Sequence, residues 1–176
     1  MPNLRTRVKM AAMGFNVGDP VVYPAQGGGY IREIAEREVM GERNTYYVIE
    51  LLRKPGTIMV PVEKAERLGL RPPLAGADRD ALVRALGEAR DLASGWPARQ
   101  REIGRALSES DPLELARMLA SLHRRHQLRP LSGTEHQQYR ELVGILSEEL
   151  ALAESGDLQT AEAYLIEQLN ALADEA

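Results

Sequence analysis

The chain has no cysteine among its 176 residues, and only one tryptophan and one phenylalanine. Without thiols there is no disulfide framework, no thiolate zinc site and no cysteine nucleophile, a usage that suits a reducing compartment. No stretch approaches eighteen consecutive apolar residues, and the basic start MPNLRTRVKMAAMGF lacks an apolar run of signal-peptide length. The sequence therefore predicts a soluble, cytoplasmic protein that is neither exported nor membrane-bound. Positive charge is missing from one region altogether: residues 141–176 hold nine acids and no lysine or arginine.

A net charge of -4 argues against a generic nucleic-acid coat, but the average hides a polarised chain. Residues 1–72 carry 11 basic and 8 acidic side chains, and residues 96–140 carry 8 arginines against 5 acids. The arginines gather just after the tryptophan, whereas the acidic final segment reads as a solvated helical surface.

A hydrophobic content of 44% in a chain of this length supports one medium domain or two small ones. Residues 15–62 read as four or five short strands with turn punctuation: FNVGDPVVYP, GGGYIREIAEREV, NTYYVIELL and TIMVPV, the last two separated by RKPG. YIREIAEREVM would also suit a helix, but its triple-glycine lead-in and the hairpin-like MGERN favour a strand. A small, strongly bent sheet of this kind is expected to close into a barrel and so remove its edges.

After GLRPPLAGA the apolar spacing switches to a helical period, which puts a domain boundary beside Pro72 and Pro73. Five helices are expected. Asp78 caps the first, which buries Leu82, Ala85, Leu86 and Ala89 and ends at Gly95. Pro97 opens the second, with Ile103, Ala106 and Leu107 on one face. Ser110 or Asp111 caps the third, built on Leu115, Leu119 and Leu122, with Pro130 beyond its end. Ser132 and Glu135 form a capping box for the fourth, which carries Leu142, Ile145, Leu146 and Leu150. Gly156-Asp157 starts the fifth, with Ala161, Leu165, Leu169 and Leu172 inward.

Little in the chain suggests catalysis. Gly27-Gly28-Gly29 lacks the Lys-Ser/Thr partner and following helix of a phosphate loop, so it reads as a tight turn or a close backbone approach. His123 and His126 stand three apart on a helix but have no third metal ligand, and they read with Arg124 and Arg125 as a polar face. No nucleophile–base arrangement can be assembled, and no cofactor is implied. Trp96 is left with two readings. Seven residues before Ile103, it could lid the core over Ile103 and Leu107; placed before Pro97, outside the regular helix, it could be an exposed contact residue.

Taken in order, FNVGDPVVYPAQGGGYI, the hairpin GERNTYYVIEL, the strand TIMVPV with LGLR after it, and the later SGW and LALAES resemble the CarD/CdnL family of bacterial transcription regulators. The resemblance runs from residue 15 to about 165. Residues 1–14 lie outside it, as a disordered extension or a misplaced start. It implies an α+β protein in two domains: a small Tudor-like (SH3-like) β-barrel over residues 15–72, and an all-α helical bundle over residues 73–176. The barrel would bind the β subunit of RNA polymerase and the bundle would touch promoter DNA, in a monomer associated with the nucleoid through the polymerase.

In that family the tryptophan wedges into the minor groove at the upstream edge of the transcription bubble and holds the open complex. Trp96 occupies its position. Family residues on the DNA backbone match Arg99, Arg101 and His136; histidine replaces a permanent cation there, which implies a weaker contact at neutral pH. On the polymerase side, Arg37 matches a family arginine, with Val39 on the same face of its strand. Met59 stands where the family has a second arginine. DNA recognition through backbone and minor groove would be largely independent of sequence. The alternative is a protein-interaction adaptor that uses the barrel alone, with the helical domain binding protein and Trp96 as a core lid.

Overall fold

The computed structural model describes residues 14–24 and 26–175. The extension expected over residues 1–14 lies, apart from Gly14, outside the described residues. The chain divides into two compact units between Pro73 and Leu74.

The first unit is an antiparallel meander of β1 (Pro20–Tyr23), β2 (Gly27–Val39), β3 (Glu42–Leu51) and β4 (Thr57–Pro61), in the order β1-β2-β3-β4. The segment YIREIAEREV is rich in good helix formers, yet it pairs with β3 along most of its length. Glycine makes that pairing possible: a Cβ on Gly29 would lie on the carbonyl oxygen of Glu50. The expected close backbone approach is thus real. A bulge at Arg32, between the Ile31 and Glu33 pairs, shifts the register, and beyond it alternate residues of β2 face opposite ways.

The inner face collects Val21, Ile31, Tyr47, Ile49 and Val60 with Ala65 and Leu70 into a buried core. The single phenylalanine serves this core. Phe15 meets Tyr47 edge to face at 5.8 Å, and its backbone N–H donates to the Tyr47 hydroxyl at 3.0 Å. After β4, a short 3-10 turn (Val62–Lys64) leads the chain back to β1, where Val22 and Arg71 exchange two backbone hydrogen bonds. The outer edge of β1 is thereby partly covered; β1 and β4, the two edge strands, do not pair with each other among the described residues.

The second unit comprises α1 (Ala77–Ala85), α2 (Trp96–Glu109), α3 (Pro112–Leu128), α4 (Gly133–Glu154) and α5 (Leu158–Asp174). α3 is central: it packs against all four others and buries Leu115, Met118, Leu119 and Leu122. Asp111, Ser132 and Asp157 cap α3, α4 and α5 through their side chains, and the Ser132/Glu135 box is complete in both directions.

The first helix differs from expectation at both ends. Asp78 lies inside the first turn of α1 rather than at its cap, because Gly76 enters the helix with φ 54° and ψ -126°, a conformation that suits glycine. α1 also stops at Ala85, well short of Gly95. Over the next stretch, side chains take the place of the helical ladder: the Arg90 N–H donates to Ser121 Oγ at 2.9 Å, and the Ala93 N–H donates to Glu102 Oε2 at 2.9 Å.

Candidate functional site

Trp96 is the first residue of α2 rather than a residue outside it, with Gly95 as N-cap. Helical extrapolation does put the indole on the Ile103 face, and Ile103 is fully buried, yet Trp96 stays 51% exposed. The reason is geometric. A helical Cα–Cβ bond tilts toward the N-terminus, so a side chain at the first position leans past the helix end, where no earlier turn lies beneath it. Half an indole leaves on the order of 100 Å² of apolar surface in water, about 2.5 kcal/mol of burial not realised within this fold.

Arg99, three residues on, is not a surface cation. It is 4% exposed: Nε meets Glu135 Oε1 at 2.5 Å, and Nη1 donates to the carbonyls of Ala93 and Ser94, both at 2.8 Å. Glu135 is more deeply buried still. Its other oxygen accepts the Ser132 N–H at 2.9 Å as the return half of the capping box, while Arg125 lies 3.6 Å from the Oε1 that Arg99 meets. Burial would raise the Glu135 carboxyl, but the Ser132 N–H and Arg99 together hold it below the usual carboxylate range. Beside this pair, Gln100 and Gln138 exchange amide hydrogen bonds at 2.8 and 3.2 Å. The N-terminal turn of α2, which bears Trp96, is therefore locked to the N-terminal turn of α4, which bears His136.

His136 itself is exposed, its ring 5.1 Å from that of His126 near the end of α3. Arg101 is also exposed and makes no ion pair among the described residues, but it leaves α2 on the side away from Ile103. The structure thus brings Trp96, Arg99 and His136 to one pair of helix ends and gives Arg101 a different side of α2. Sequence reasoning missed the second duty of Glu135 and the Gln100–Gln138 pair. The S-x-x-E spacing did locate Glu135, but nothing local names its partner across 36 residues.

His123 is half-buried rather than part of an exposed face. Its Nδ1 lies 2.9 Å from the Tyr139 hydroxyl, and burial holds the imidazole below its ordinary value against an opposing hydrogen bond with Asn170. Among the described residues, no group of three or more His, Asp or Glu side chains could hold a metal ion, and no helix is long and apolar enough to cross a membrane.

On the first unit, strand register places Arg37, Val39 and Met59 on one face. Glu33 and Met59 both pair with Val48, and Arg37 and Val39 follow Glu33 at alternate positions of β2. This is the outer face, opposite the core. Val39 and Met59 are 46% and 44% exposed, and Met40, at the hairpin tip, is 98% exposed. Arg37 is itself engaged, 3.6 Å from Glu33 and donating to the Glu36 carbonyl.

Residues 15–73 match the CarD-like/TRCF RID domain, and residues 83–166 match the CarD C-terminal domain. The chain is also similar to the candidate transcription factor YdeB of Bacillus subtilis (strain 168), at 40% identity over 58 residues, 33% of this chain and 38% of that protein. The match thus spans well under half the length of that relative.

Proposed function

The chain belongs to the CarD family, and on that premise we propose that it is a transcription regulator that binds RNA polymerase through the outer face of its sheet and stabilises the open promoter complex by wedging Trp96 into the minor groove. The observation that carries this reading is the half-exposed indole on a rigid mount. An apolar ring is held at a helix end by a buried ion pair, with no cover of its own.

A wedge acts on DNA that is already distorted. Unstacking a base step costs a few kcal/mol, and at a bubble edge melting has met part of that cost. Arg101 and His136 supply backbone contacts. Arg99 takes a different part from the phosphate contact that the resemblance implies: its guanidinium is used up inside the unit, so it positions Trp96 instead. With net charge -4 and few free cations, the chain binds loose duplex weakly, and attachment to polymerase supplies the effective concentration.

The polymerase-binding unit, read as a Tudor-like barrel with the β subunit as its target, contacts its partner as a monomer through a largely apolar strip of Val39, Met40 and Met59 beside Arg37. With methionine in place of a second arginine, this contact depends little on salt. The test is open-complex lifetime with the cognate polymerase. The wild-type chain should lengthen it, Trp96→Ala should abolish most of the gain, and equal lifetimes for two folded proteins would remove the wedge.

A further inference from the structure

The cations that sequence reasoning left on a polar face line a cleft. Between the Arg90–Ser94 segment and the last turns of α3 lies a concavity of about 250 Å³ whose walls include Arg90, Arg124, Arg125 and Arg129, with Asp91 as its one acid. The lining carries three net positive charges, from four arginines and one aspartate. Glu114 already pairs with Arg90 and Glu135 lies 3.6 Å from Arg125, and the C-terminal end of α3 adds roughly half a negative charge, so the cationic character of the cleft comes mainly from Arg124 and Arg129.

Its walls are fixed, and two of its charges, on Arg124 and Arg129, are available. Ser121 Oγ holds the Arg90 N–H, and Arg99 holds the carbonyls of Ala93 and Ser94, so the segment is pinned at both ends. Arg124 reaches Asp91, but that carboxylate is 96% exposed, and an ion pair so open to water contributes little and yields readily to a better acceptor. Arg129 is exposed and makes no ion pair among the described residues. Leu128 stands beside them at the rim, 77% exposed.

Ser94, on the cleft wall, is two residues from Trp96, which is at most about 7 Å of extended chain. Successive nucleotides of one strand advance about 3.4 Å along a duplex, so the cleft wall at Ser94 lies within about two nucleotide steps of the indole-bearing residue. Planar guanidinium groups suit the paired oxygens of such a phosphate.

We propose that this cleft takes a backbone phosphodiester of the promoter DNA beside Trp96, with Arg124 and Arg129 as its ligands. The proposal rests on the DNA-wedge reading, and the test separates the two. The full chain is titrated with a premelted promoter duplex at several potassium chloride concentrations. For Arg124→Gln/Arg129→Gln, the slope of log affinity against log salt should fall by about 0.9, the value of one phosphate neutralised. Arg124→Lys/Arg129→Lys should keep the slope, because it keeps the charge. An unchanged slope in the glutamine pair overturns the cleft assignment. So does a result in which inorganic phosphate shifts the Arg124 and Arg129 side-chain resonances while the DNA slope is indifferent to both residues, since that describes a free-anion site. Trp96→Ala should retain the slope but lose the preference for premelted over paired duplex. If that preference survives, the wedge reading fails, whatever the arginines do.

Discussion

At the residue scale, the decisive pair is Arg99 and Glu135. Two charges that bury to 4% and 1% exposure are tolerable only because each is saturated: the guanidinium by a carboxylate and two carbonyls, the carboxylate by Arg99 and a capping N–H. Removing one partner strands the other. Glu135→Gln should destabilise the helical unit by about 3–5 kcal/mol, read by urea unfolding. Glu135 also sets a pH dependence. Its folded carboxyl titrates below the unfolded one, so the unfolded chain takes up the proton first. The stability it contributes is complete above the unfolded value of about 4.3 and is lost as pH falls through the folded value. Glu135→Gln should lack that acid limb; a variant that keeps it would move the acid sensitivity to another group.

At the element scale, the β2–β3 hairpin contains an exposed conflict. Its two-residue turn, Met40-Gly41, has φ of 54° and 81°, the both-positive pattern of a type I′ turn that asparagine-glycine suits best. A methionine in that conformation costs about 1 kcal/mol, and at 98% exposure it gains no burial in return. Strain kept at a bare apolar tip fits a contact made elsewhere, next to Val39 on the proposed polymerase face. Met40→Asn should therefore raise the thermal midpoint by a few degrees, corresponding to about 1 kcal/mol, while weakening capture by polymerase. Gain in stability with binding unchanged would take Met40 out of the interface. The loss of helix after Ala85 is the other element-scale feature, because it frees residues 86–95 to wall the arginine cleft.

At the scale of the whole molecule, the proposed function divides the work between two compact units. The first offers an apolar strip, and the second offers an indole with scattered cations in a chain whose last 36 residues are wholly acidic in charge. In the proposed complex neither DNA contact is strong alone, so the joining chain is what makes them count. Residues 74–176 alone should lengthen open-complex lifetime only at concentrations about 10²- to 10⁴-fold above those needed of the full chain. Equal potency of the isolated unit and the full chain would show that attachment contributes nothing. On the proposed wedge reading, the lasting effect falls on the lifetime of the melted promoter rather than on the choice of promoter, because backbone contacts carry no sequence information directly.

Much of this was legible before any coordinates. Turn residues, the change of apolar period near Pro72 and the capping signals at Asp111, Ser132 and Asp157 are local, and local chemistry fixes them through neighbouring backbone groups. The meander, the inward faces of the helices and the common face of Arg37 and Val39 follow from the same short-range rules. What the sequence could not decide was which charges stay on the surface. Arg99 and Arg101 look alike in the chain, yet one is buried against Glu135 and the other is free, because burial depends on a partner 36 residues away. The exposure of Trp96 was undecided for a similar reason: spacing put it on the Ile103 face, and only packing showed that the face ends beneath it. Periodicity ranks residues along one element, whereas ion pairing and exposure are settled between elements, and there the tertiary structure alone had the answer.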